Sequence, residues 1–129
     1  MHKPRILIIT ECFYPEEFNI NDLALSWKDE GYEVDVLTLS PTYPKGKILE
    51  GYKNRWFSKD TYKGISIYRV RAVTGYRDNK FKKLLKYINF MLFGSISGIA
   101  IGKNYDYIIV YNLGALTSML PAVLIKKIY

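Results

Sequence analysis

The 129-residue chain is 49% hydrophobic and 16% aromatic, enough for one core and too short for two domains of ordinary size. Its single cysteine, Cys12, excludes an internal disulfide and a cysteine-rich metal site and points to a reducing compartment; the first apolar run, about five residues followed by acids, does not read as a secretory signal. The net charge of +7 is uneven: residues 1–40 hold three Lys/Arg against eight Asp/Glu, and residues 41–129 hold sixteen against four. An anionic partner (phosphate, anionic lipid or nucleic acid) therefore belongs to the second part, unless that surface is simply solvated.

"RILIIT" is the first expected strand, apolar nearly throughout, as a parallel strand covered on both faces is. The stretch "ECFYPEEFNIND" follows, with no glycine between Met1 and Gly31. Ile20, Leu23, Ala24 and Trp27 then recur at helical spacing, with Asn19 or Asn21 as N-cap, Asp22 in the first turn and Gly31 past the end. "YEVDVLTL" is a second strand, so strand, helix and strand form a right-handed unit with a parallel sheet. From Ser40 to Lys63 the period breaks, and a long loop is expected. "ISIYRVRA" is a further strand, placing Arg69 and Arg71 on one side near a sheet edge.

After a "TGYRDN" turn comes "KFKKLLKYINFMLFGSISGIAIGK", with no charge from Tyr87 to Gly102 and glycines at 94, 98 and 102 that permit close helix packing. It reads as a buried helix lying against the sheet. It also reads as a helix whose basic, aromatic start, with Phe81, Lys82, Lys83, Lys86 and Tyr87 facing outward, rests on an anionic membrane surface. "YDYIIVY" is the last strand, followed by an "NLG" turn and an apolar helix from about Ala115. With few strands and an end inside a helical pattern, the chain reads as part of a larger unit.

Gly-rich dinucleotide and P-loop motifs are absent, and the sole histidine, His2, lies at the terminus, so no histidine base or triad is expected. Glu11, Glu16 and Glu17 cluster at the carboxyl end of the first strand, where open α/β sheets bind ligands; they also suit the dipole of the following helix. Cys12 reads as a small buried hydrophobe rather than a nucleophile. In "PTYPKGK", after the second strand, Tyr43 suits a sugar ring and Lys45 and Lys47 suit a phosphate. Asn112 and Gly114 bring the "NLG" turn to the same edge.

Several motifs stand in one order: an aromatic-Pro-Glu turn, "INDLA", "GYEVDVLT", "PTYPKGKI" with "GY" soon after, and "GISIYRV". This series resembles the N-terminal domain of the group 1 glycosyltransferases of GT-B fold, especially those building bacterial capsule, O-antigen and colanic-acid polysaccharides. The resemblance covers most of the first 71 residues. It implies an α/β fold with a Rossmann-like parallel sheet flanked by helices, residues 1–129 forming an incomplete acceptor-side domain. The nucleotide-sugar donor would be held mainly by a C-terminal domain that this chain lacks, and the fragment alone would be inactive.

By the same resemblance, the turn after the first strand faces the interdomain cleft, so Glu16, Phe18, Asn19 and Asn21 join Tyr43, Lys45, Lys47, Asn112 and Gly114 as substrate-binding candidates. The acceptor would be a saccharide, lipid-linked, met at the inner face of the cell membrane by a cytoplasmic peripheral enzyme in surface-polysaccharide biosynthesis. No catalytic residue is assigned, no cofactor or metal is expected, and nucleic acid is not an expected partner. Two competing readings are a non-enzymatic basic α/β module binding nucleic acid or an anionic membrane surface, and a free-standing scaffolding module.

Overall fold

The computed structural model describes residues 3–16, 19–42, 46–75, 79–101, 105–111 and 120–128. Five strands form one sheet: β1 (Arg5–Thr10), β2 (Glu33–Leu39), β3 (Phe57–Tyr62), β4 (Ile65–Val70) and β5 (Tyr107–Tyr111), in the order β3-β4-β2-β1-β5. The β2–β4, β1–β2 and β1–β5 pairs are parallel, with Ile8 opposite both Val36 and Ile109. The expected α/β sheet is therefore present, with one correction. Part of the presumed long loop is strand β3, antiparallel to β4, so the sheet is mixed.

Polar alternation hid β3 in the sequence. "FSKDTY" carries no apolar run, because an edge strand leaves its alternate residues in water. Its hairpin to β4 turns on Lys63 and Gly64, both at positive φ (48° and 85°), the pair of left-handed residues that a two-residue hairpin turn requires. The strand also moves Arg69 from the expected sheet edge to an inner strand. Arg71 lies past the end of β4 and is exposed, whereas Arg69 is buried.

Period-two alternation along the strands divides the core. Ile6, Ile8, Val34, Val36, Ile65 and Ile67 face helix α1 (Asn19–Asp29), which contributes Ile20 and Ala24. Leu7, Ile9, Leu37, Leu39 and Val70 face the other side, where Phe90 and Ile125 close on them. Asn19 opens α1, so Asn21 lies inside the helix rather than capping it. The helix ends with the amide of Tyr32 donating to the carbonyl of Trp27, a closure that satisfies a terminal acceptor.

The second helical arm runs continuously from Lys80 to Ile101: α2 (Lys80–Asn89), a wider π turn (Phe90–Gly94) and α3 (Ser95–Ile101). Asn79 caps it, its side chain accepting the amide of Lys82. The expectation of a buried helix holds only for its second half. Phe90, Gly94, Ser95 and Gly98 are buried, but no residue of α2 is. Gly98 admits the close approach that its spacing suggested: a Cβ there would come within 3.0 Å of Ile125 and 3.3 Å of Leu37. Gly102 lies outside the described residues. Helix α4 (Leu120–Ile128) packs against α3 and supplies Ile125.

Candidate functional site

Strand order locates the site before any side chain is considered. From β1 the chain crosses through α1 to β2 on one side, and from β4 it crosses through α2 and α3 to β5 on the other. The two connections diverge beside β1, and the crevice at the carboxyl ends of β1 and β5 is where such sheets take ligands. Residues 11–16 follow β1 there, and residues 112–114 follow β5. Asn112 and Gly114 lie outside the described residues.

The glycine-free turn has a defined job in this geometry. The Glu16 carboxylate is buried and accepts the amides of Phe13 (3.4 Å) and Thr42 (3.2 Å), joining the turn after β1 to the segment after β2. Asn21 donates from Nδ2 to the Glu16 carbonyl at 2.7 Å. Arg69 reaches across from β4, donating from Nη1 to the Leu39 carbonyl at 3.1 Å and from Nη2 to the Tyr14 carbonyl. Tyr14, which precedes a cis proline, stacks on Tyr62 at 3.9 Å between ring centroids. Where nucleotide-binding turns leave backbone amides open for a phosphate, this turn brings its own carboxylate to them. Glu16 and Asn21 thus act on any ligand through the shape of the turn.

The chemically distinctive group is Glu11, 8% exposed at the mouth of β1. Among the described residues its Oε1 has no hydrogen-bond partner. Burial raises its pKa, and the Lys86 ammonium on α2 works in the opposite direction. A carboxyl so held keeps its proton to higher pH than an exposed one. Cys12 is buried, and burial, followed by the charge of Glu16, pushes its thiol up to about 12. At neutral pH that thiol is protonated, which agrees with its reading as a packed side chain rather than a nucleophile.

The other expected residues disperse. Asn19 is exposed at the start of α1 and Lys47 is exposed after β2, while Phe18, Tyr43 and Lys45 lie outside the described residues. On α2, Phe81, Lys82 and Lys83 are exposed, whereas Lys86 and Tyr87 are half-buried. Lys86 acts on Glu11 and Cys12, and the Lys82 side chain lies against Gly75, so these two lysines lie on the side of α2 toward the domain. The outward stripe is apolar: Phe81, Leu84, Leu85, Leu92 and Ile96 are all exposed. Among the described residues no group of three metal-ligating side chains gathers.

Sequence reasoning missed two parts of this site. The electrostatic action of Lys86 on Glu11 joins residues 75 positions apart and leaves no local signal. Arg69 does leave one: it shares the inward face of β4 with Ile65 and Ile67, so alternation alone marks it as a buried cation. At the opposite end of the sheet Arg5, Glu33, Asp35 and Tyr105 form a separate network. The Tyr105 hydroxyl donates to Asp35 at 2.5 Å and Arg5 lies 3.4 Å from the same carboxylate, a pin between β1, β2 and the start of β5. No protein-family model, no curated protein and no solved structure matches the chain.

Proposed function

We propose that this chain is the acceptor-side α/β domain of a membrane-peripheral glycosyltransferase that moves a sugar from a nucleotide donor to a lipid-linked saccharide. Its chief support is a juxtaposition: a helix with an outward apolar stripe begins beside the sheet edge where α/β folds receive ligands. A lipid-linked acceptor needs both at once, a polar crevice for its head and a lipid-facing surface within reach of it. The ordered motifs of the first 71 residues favour the same reading.

Lys80–Ile101 is long and apolar enough, by length and composition, to cross a membrane. Lysines at 80, 82, 83 and 86 occupy its first two turns, however. The roughly 15 residues beyond them span about 22 Å at 1.5 Å per residue, short of a hydrocarbon core of about 30 Å. Gly98 is also packed against Leu37 and Ile125. The arm is therefore read as lying on a bilayer: apolar stripe in the acyl boundary, Lys80 and Lys83 among anionic head groups. In this reading Glu11, poised by burial against Lys86, sits over the acceptor head, and the donor is held by a further domain.

The test is transfer of labelled sugar from UDP- and GDP-sugars to prenyl-pyrophosphate-linked saccharides by the protein of the complete reading frame, in vesicles with anionic lipid. Product that extracts with the lipid phase is the expected outcome. Inactivity with every donor and acceptor pair would overturn the reading. Vesicle sedimentation of the chain tests the surface separately: Phe81→Glu with Leu84→Glu is expected to weaken binding at least about tenfold, the equivalent of about 1.4 kcal/mol.

A further inference from the structure

A second concavity, of about 500 Å³, opens beside the turn on the α1 side of the sheet, and the membrane-facing arm does not account for it. Tyr52, Lys53 and Arg55 border it from the segment before β3, Ser58 and Asp60 from β3, and Arg69 forms its floor. Three cations thus meet one carboxylate; the Lys59 ammonium lies 5.5 Å over the Tyr68 ring, on the other face of the sheet. Lys53 and Arg55 are exposed, and the Asp60 side chain is 40% exposed, 3.7 Å from the Arg69 guanidinium. The other Asp60 oxygen already accepts the amide of Thr61 at 2.8 Å. Arg69 itself is 2% exposed, and its Nε has no hydrogen-bond partner among the described residues.

Solvated surface cations are common and need no ligand. A buried guanidinium with an unspent N–H beneath a rim of two further cations is not of that kind. Leaving a buried donor unmet is costly, and excess positive charge in a concavity concentrates anions. The volume falls within the range of ligand clefts, about 300–1,000 Å³, and exceeds what a bare inorganic ion fills. Tyr52 adds a half-buried ring and a hydroxyl, one ring face lying under Arg69 at 5.4 Å.

We infer that this concavity binds an anionic monosaccharide unit, its carboxylate or phosphate held by Lys53 and Arg55 over Arg69 and its ring beside Tyr52. The choice of a sugar as the body of the ligand rests on the glycosyltransferase reading, and it makes the acceptor an acidic saccharide. The anion preference stands on the charges alone.

Glucuronate, glucose 6-phosphate, glucose and inorganic phosphate, each at matched ionic strength, are titrated into the chain and followed by two-dimensional NMR. Saturable shifts at residues 51–60 with the two anionic sugars, and none with glucose, are expected; the tighter of the two tells carboxylate from phosphate. Combining Lys53→Ala with Arg55→Ala, both exposed and so compatible with folding, is expected to lower affinity at least tenfold. Lys126→Ala with Lys127→Ala, exposed on α4, should leave it unchanged. Equal shifts with glucose, inorganic phosphate binding as tightly as the sugar phosphate, or affinity that survives the double variant would overturn the proposal. The titration needs neither donor nor turnover, so its failure and that of the transfer assay are separable.

Discussion

Helices α1 and α2 carry the same kind of pattern and put it to opposite use. In α1 the apolar positions Ile20 and Ala24 turn inward and are 1% and 0% exposed, leaving Leu23 at the margin. In α2 the apolar positions Phe81, Leu84 and Leu85 turn outward, while Lys82 and Lys86 lie toward the domain. Periodicity fixes which residues share a face. It does not fix which way that face points, because that depends on what the neighbouring elements offer.

The neighbours decide in physical terms. Above α1 lies an uninterrupted apolar surface of Ile6, Ile8, Val34, Val36, Ile65 and Ile67. The start of the second arm instead lies toward the carboxyl edge of the sheet, where the charge of Lys86 acts on the buried Glu11. Only from Phe90 onward does the arm pass over Leu7, Ile9 and Leu37, and there it is buried. The outward stripe of α2 is therefore available for another apolar phase, which is what the proposed membrane contact uses.

The largest effect expected from this contrast is on α1. Ile20→Ala should cost about 2–5 kcal/mol by chemical denaturation, since it removes buried methylene groups from a filled core. A value near zero would mean that α1 is not seated as described. Next, Gly98→Leu should cost about 1–3 kcal/mol, because its side chain must displace Ile125 and Leu37 from a packed contact. A neutral result would detach the second half of the arm from the sheet.

A smaller change, and one with a pH signature, is expected from Glu11→Gln. Burial raises the Glu11 pKa in the fold, so the folded state favours the protonated acid. As pH rises above the ordinary value of 4.5 the unfolded chain releases this proton first, and the fold carries a growing penalty until the buried carboxyl also ionises. An uncharged amide at this position carries no such penalty, so the variant should gain thermal stability over the native chain at pH 7 and lose that gain by pH 3. A gain that is the same at both values would remove ionisation as its cause. The smallest effect is expected at Leu84→Ala, within about 0.5 kcal/mol in solution, because an exposed side chain has little to lose on truncation. A cost resembling that of Ile20→Ala would show that α2 is covered in solution and would end the contrast.

Much of the architecture was legible in the chain. The β1–α1–β2 unit followed from an apolar run, a 3.6-residue period and a glycine stop, and the close packing of the second arm followed from the spacing of Gly94 and Gly98. Strand β3 was not legible, since an edge strand with polar alternate residues gives no apolar signal. The site was legible only as a location. That a turn rich in glutamates follows β1 could be read directly; that Glu16 is consumed by two backbone amides while Glu11 remains partly unmet could not.

The sequence by itself determined the apolar strands, the helices with their apolar periodicity, and the absence of a glycine-rich phosphate turn, because these follow from spacing and side-chain chemistry over a few residues. Tertiary structure alone decided that Arg69 lies over the Tyr52 ring, that the charge of Lys86 acts on Glu11, and that α2 turns its apolar stripe away from the core. Each of those joins or orients residues through long-range packing, and the energy that selects among such arrangements is the burial of other parts of the chain, which no local pattern encodes.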